Sequence, residues 1–211
     1  MPLQNRVTPF GDIVAIPERG LMMGNRGIIH DPASRRLLDR RWAGKAWIIC
    51  LCEFRGVRRK VMSRRSWTEL FFLDEATALA AGHRPCFYCR RPAAEAFRTA
   101  WAKGNGGAAP RASEMDAVLH RERLDARRKR RHPLTAMPNS LPQGAMIGAE
   151  DRAYLIAGGR GLLWSPAGYR EVAALPAGTS LLTPPSTLRA LAAGYSPVLH
   201  PTALDHSGGT R

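Results

Sequence analysis

TELFFLDEATALAAGHRPCFYCRRP, residues 68–92, decides the fold. Residues 70–73, LFFL, are apolar without alternation, which marks a short strand covered on both faces. Asp74 then stands as an N-cap, its carboxylate placed to accept from first-turn N–H groups, and ATALAA has high helix propensity. Gly82 supplies the left-handed stop, and Pro85 delivers Cys86-Phe87-Tyr88-Cys89 at a fixed angle. Cysteines at this spacing can turn both sulfurs toward one ion, the usual half-site of a structural zinc. A second helix is expected from about Pro92 through AAEAFRTAWAK, with Phe97 and Trp101 four apart on its core side.

Upstream, IVAI at 13–16 reads as a strand, and Gly24-Asn25-Arg26-Gly27 as a turn. Its glycines would let backbone N–H groups face an anion beside Arg26, although an ordinary turn has the same composition. Residues 45–62, KAWIICLCEFRGVRRKVM, read as a β-hairpin turning at Arg55-Gly56. Period-two alternation puts Cys50 and Cys52 on the same side of its first strand. Downstream, KGNGGAAPRAS at 103–113 reads as a flexible link. Residues 113–132 then read as one long helix capped by Ser113. Beyond residue 142 positive charge thins, and GAMIGA, AYLIAG, GLLWSPAGY and TSLLTPP predict a small antiparallel sheet followed by a helix and a frayed end, DHSGGTR. The class expected is α+β, a small mixed or antiparallel sheet with short helices and a zinc-stapled Cys-x-x-Cys module.

The deciding stretch has an echo. With an offset of 112 it falls without a gap on SLLTPPSTLRALAAGYSPV, residues 180–198, aligning Leu79 with Leu191, Gly82 with Gly194 and Pro85 with Pro197. Val198 stands in the place of Cys86, so the echo carries the packing and not the metal.

The net charge is +15, from 32 basic and 17 acidic residues. A field of that sign favours a polyanionic partner, most often nucleic acid, and DNA before RNA. Residues 121–132 concentrate it, with seven Arg or Lys against two acids. Phosphate contacts are therefore expected at Arg123, Arg127, Arg128, Lys129, Arg130 and Arg131, together with Arg26, Arg84, Arg90 and Arg91. A solvated basic face would look the same in sequence. No apolar run reaches membrane-spanning length and the N-terminus has no signal core, so a cytoplasmic protein is expected, whose four cysteines are ligands or free thiols.

A second candidate site lies in the basic helix. Asp116 and His120 are i and i+4 on one face, so the carboxylate could orient the imidazole as a base, while Glu122 points elsewhere. A basic helix bearing one histidine is also common without catalysis.

The segment FFLDEATALAAGHRPCFYCRRP resembles the second half of the zinc-binding domain of the Ada family of alkylation-repair proteins. Ala80, Ala81, Gly82, Arg84, Pro85, Cys86 and Cys89 carry the match, with His83 at the usual aromatic position. The resemblance implies zinc at Cys86 and Cys89, and in Ada proper an upstream thiolate accepts a methyl group from a DNA phosphotriester. Shorter relatives carry Gly-Asn and then His-x-Pro-x-Cys upstream. Gly24-Asn25, His30 and Pro32 fit that pattern, and Ser34 stands where the cysteine would be. The remaining ligands are thus open among His30, Cys50, Cys52 and His83, and a site without metal is also consistent. The expected organisation is an Ada-like zinc-binding lobe at 1–103, a linker and basic helix at 104–142, and a β-rich lobe at 143–211.

Overall fold

The computed structural model describes residues 1–57 and 60–204; Arg58, Arg59 and the stretch DHSGGTR lie outside the described residues. The protein is α+β, with several small sheets and short helices. The first half holds β1 (Arg6–Val7), β2 (Ile13–Val14), β3 (Met22–Asn25), β4 (His30–Asp31), β5 (Arg36–Leu37), β6 (Ile48–Leu51), β7 (Leu70–Phe72), α1 (Glu75–Ala80), β8 (Arg84–Pro85) and α2 (Arg91–Asn105). After α3 (Ala112–Arg123) come β9 (Leu124–Asp125), β10 (Arg128–Lys129), β11 (Met146–Ala149), β12 (Arg152–Ala157), β13 (Arg160–Ser165), β14 (Gly168–Glu171), β15 (Ser180–Leu181), α4 (Pro185–Ala192) and α5 (Pro201–Leu204).

A six-stranded mixed sheet, in the order β2-β1-β7-β3-β6-β8, carries the deciding stretch. Within it β7 is buried as its apolar run requires, Leu70 and Phe72 fully and Phe71 beneath the Arg6 guanidinium. Gly24 belongs to β3 rather than to a turn, because a Cβ there would sit 2.1 Å from the Ile48 carbonyl oxygen of the neighbouring strand. The turn follows it, with the Gly27 N–H donating to Asn25 Oδ1 and Gly27 at φ +86°. The hairpin expected at 45–62 is half present. Its turn closes at Arg55-Gly56, but β3 and β6 pair antiparallel and β6 and β8 parallel, so both edges of β6 are taken and no returning strand forms among the described residues.

Asp74 caps α1 as expected, accepting from the Thr77 N–H at 2.9 Å. The second helix continues to Asn105, two residues past its expected end at Lys103, with the Phe97 and Trp101 rings in tilted contact on its buried side. α3 is shorter than read. Arg111, not Ser113, is its N-cap, with Glu114 accepting from the Arg111 N–H, and it ends at Arg123. The charges that follow sit on the β9–β10 hairpin, which turns through Ala126 at φ +51°. A longer helix would stack Arg123, Arg127 and Arg131 at i, i+4, and the hairpin breaks that stack.

The sheet expected after residue 142 is present, five antiparallel strands in the order β14-β13-β12-β11-β15. One hydrophobic cluster runs from Val7 and Phe72 through Met115 to Ile147 and Leu191, drawing on all three expected segments. The join is polar as well as apolar. Asp74 and Glu75, fully buried, accept from the N–H groups of His200 and Val198, and Glu75 also from Tyr195 Oη.

Candidate metal centre and basic cavity

The pairing of β6 with β8 brings the candidate metal ligands together. Ile49 lies opposite Pro85, and the Cys86 N–H donates to the Ile49 carbonyl at 2.9 Å, so Cys50 is carried alongside Cys86. The tight turn of residues 86–89 then brings Cys89 round ahead of α2, with the Tyr88 N–H donating to Cys86 Sγ at 3.4 Å. The sulfurs of Cys50, Cys86 and Cys89 lie within 4.8 Å of one another, an arrangement that could hold a metal ion. Thiolates bound about 2.3 Å from one tetrahedral ion stand roughly 3.8 Å apart, so small rotations would close such a site. Hydrogen bonds to Cys86 and then Cys89 push the Cys50 thiol up, and the bonds from Cys50 and Cys89 hold Cys86 well below the ordinary thiol range. One sulfur of the three is therefore favoured as thiolate, the form that binds metal.

The other proposed ligands lie elsewhere. Cys52 is past the end of β6 and points its thiol at the Leu21 carbonyl, because the alternation that would align it with Cys50 stops with the strand. His30 is buried with both ring nitrogens engaged, Nδ1 by Thr68 Oγ1 at 2.7 Å and Nε2 by the Arg64 carbonyl at 3.0 Å. His83 packs against Trp47 and Phe72 and accepts from Arg26 Nε. Beside the cysteines a cavity of about 780 Å³ opens, lined also by Met23, Phe54, Trp67 and Tyr88.

Two arginines of the motif are engaged inside the fold rather than presented to phosphates. Arg84 makes a bidentate pair with Asp116, 2.8 Å on each arm, and Arg90 makes another with Glu75 at 2.7 and 2.8 Å. Both pairs are buried and bracket the Cys-x-x-Cys turn. Arg91 alone of the three stays exposed, near Glu95. The first pair also separates the two residues suggested as a catalytic dyad. With both Asp116 oxygens on Arg84, the His120 ring meets the edge of Trp42 and its Nδ1 lies 3.1 Å from Arg123 Nη2.

The remaining basic candidates converge on a second cavity, about 890 Å³, between the β1–β2 hairpin, the β9–β10 hairpin and the loop before β6. Arg26, Arg123 and Lys129 line it from within, and Arg127, Arg128 and Arg131 from the hairpin side. Arg130 lies outside the lining, bonded to the Leu124 carbonyl and near Asp125. Arg41, Trp42 and Trp47 also line the cavity, and no expectation from sequence named them. Their signal was available in RRWAGKAW, residues 40–47, where basic and aromatic residues interleave.

At the cavity wall Trp47 is covered by two guanidiniums, Arg26 at 3.9 Å and Arg123 at 3.8 Å from the ring centre. Arg26 donates to the Gly11 carbonyl and to His83, and Arg123 to the Gly82 and Lys45 carbonyls. Lys129 Nζ donates to the Ala80 carbonyl. Gly82, at φ +89°, makes room for Arg123, whose Cβ would be 2.6 Å from any Cβ placed there. Burial, and then their like-charged neighbours, push these cations down: Arg26 to about 9 beside Arg123, and Lys129 to about 7 beside both. Burial likewise takes Arg123 to about 9, against the pull of Asp116.

No family profile, no curated protein and no solved structure matches this chain. Among the described residues no helix is long and apolar enough to cross a membrane.

Proposed function

We propose that this is a zinc-stabilised nucleic-acid-binding protein, DNA-directed and acting in DNA repair or processing. Cys50, Cys86 and Cys89 hold the ion, which ties β6 to the turn before α2. The observation that carries the nucleic-acid reading is the basic cavity, where seven Arg or Lys line the wall against Asp12, Glu150 and Asp151. Cationic grooves with interleaved aromatic residues suit a phosphate backbone with stacked bases. The net charge of +15 would steer a polyanion toward it. The cytoplasmic placement expected from the sequence accords with free cysteine thiols.

Binding of a labelled single- or double-stranded oligonucleotide across a salt series tests this reading. Log affinity should fall steeply with log salt, and replacing Arg127, Arg128 and Arg131 by Gln should flatten the slope by about one for each phosphate no longer neutralised. A flat slope in the wild type would remove the proposal.

An alkyl-acceptor enzyme is a second reading, favoured by one observation, the cavity of about 780 Å³ that meets the three sulfurs. A metal-bound thiolate there would take a methyl group from a phosphotriester and leave a diester. Mass spectrometry of Cys50, Cys86 and Cys89 after exposure to methylated DNA decides it: a gain of one methyl supports the reading, and unmodified cysteines end it.

A further inference from the structure

Cations set into this fold are of two kinds. Arg84 and Arg90 face carboxylates, whereas Arg26, Arg123 and Lys129 make no ion pair among the described residues. Arg26 and Arg123 are only 2% and 1% exposed, and their acceptors are neutral carbonyl oxygens and imidazole nitrogens. Each also keeps a buried N–H without any acceptor, at Arg26 Nη2 and Arg123 Nε. An unpaired buried charge is costly; Arg26 and Arg123 are two such charges on one cavity, and the half-buried Lys129 beside them repels both. Folds retain such groups where an anion supplies the missing charge.

The size of the deficit points to the anion. An internal phosphodiester carries one negative charge, and the surface arginines Arg127, Arg128 and Arg131 suffice for such groups. A phosphate monoester carries close to two near neutral pH and presents three oxygens, which matches three cations rich in N–H donors that line one cavity. We propose that the cavity binds a phosphate monoester, with Arg26, Arg123 and Lys129 around its oxygens and the hairpin arginines along any chain that follows. The group has two sources, the phosphorylated end of a nucleic-acid strand or a free nucleotide. The strand end is the source that follows from the function proposed above.

The experiment measures binding of one short single-stranded oligonucleotide in three forms, 5′-phosphorylated, 3′-phosphorylated and with hydroxyl at both ends, and of a nucleoside monophosphate alone. One phosphorylated form should bind about tenfold or more tighter than the hydroxyl form, and that difference should vanish in Arg26→Met and Lys129→Met. Lys129 lies on the hairpin rather than in the sheet, so its variant stands in if Arg26→Met fails to fold, as judged by near-ultraviolet circular dichroism. Equal binding of all three oligonucleotides, or an end preference unchanged in the folded variants, overturns the inference while leaving the nucleic-acid reading intact. Tight binding of the monophosphate with no binding of any oligonucleotide keeps the phosphate site and removes the nucleic-acid reading.

Discussion

The Cys-x-x-Cys turn and the Trp47 cavity are both built around buried arginines, and they use them oppositely. Around the turn each guanidinium is closed by a carboxylate, Arg84 by Asp116 and Arg90 by Glu75. Around the cavity the guanidiniums rest on an indole ring and neutral acceptors, and their charge is left open. The first arrangement fixes a shape, and the second holds free energy in reserve for a ligand. A count of arginines in the sequence cannot separate them, because the difference lies in where Asp116 and Glu75 point.

Four measurements can break or sharpen that contrast. The largest effect is expected at the metal. If the turn is stapled by an ion, Cys50→Ser should lower bound zinc from one per chain toward zero by elemental analysis, and Cys52→Ser should leave it unchanged. Retention of zinc in Cys50→Ser would move the staple elsewhere. Next, removing a closing carboxylate should strand a buried charge: Asp116→Ala is expected to cost about 3–5 kcal/mol in urea unfolding. By contrast Arg26→Met, measured in phosphate-free chloride buffer, should be neutral or stabilising by about 1 kcal/mol, since it deletes a buried charge that has no carboxylate partner. Equal losses in the two variants would erase the distinction.

A further effect is in pH. Lys129 is held near 7 in the folded protein and lies near 10.4 in an unfolded chain, so between these values the unfolded state binds more protons. Folding stability should therefore rise with pH above 7 through this group. Arg26 and Arg123, held at about 9 in the same cavity, add slopes of the same sign toward the top of that range. Urea unfolding at pH 7, 8 and 9 should show the rise in the wild type and a flatter profile in Lys129→Met. Parallel profiles would contradict the placement of this lysine beside Arg26 and Arg123.

Much of this fold was legible because local rules agreed with the global one. Residues 68–86 read as strand, cap, helix and glycine stop, and the structure contains each. The echo at 180–198 repeats the stop bond for bond: the Gly82 and Gly194 N–H groups donate to Leu79 and Leu191, and those of His83 and Tyr195 to Ala78 and Ala190. The two then diverge. After Gly82 the chain joins β6 and bears cysteines, whereas after Gly194 it meets the carboxylates of Asp74 and Glu75. What sequence could not give was pairing across the chain. Cys50 and Cys52 are equivalent by alternation, and only the β6–β8 register selects Cys50. His30 fitted a ligand pattern, but Thr68 and the Arg64 carbonyl, more than thirty residues away, take its ring. The run 121–131 reads as a basic cluster on one helix, yet the helix stops at Arg123 and residues 124–131 leave it, because the turn at Ala126 needs a positive φ that alanine does not advertise.

The most direct test compares thermal unfolding of the metal-loaded protein in chloride and in phosphate at equal ionic strength. An anion that closes the open charge should raise Tm in the wild type by roughly 5–10 °C at about a hundredfold excess over its Kd. The same rise is expected in Arg91→Ala, which leaves the cavity untouched, and little or none in Arg26→Met or Lys129→Met. An equal rise in all four proteins, or none in the wild type, would contradict the account.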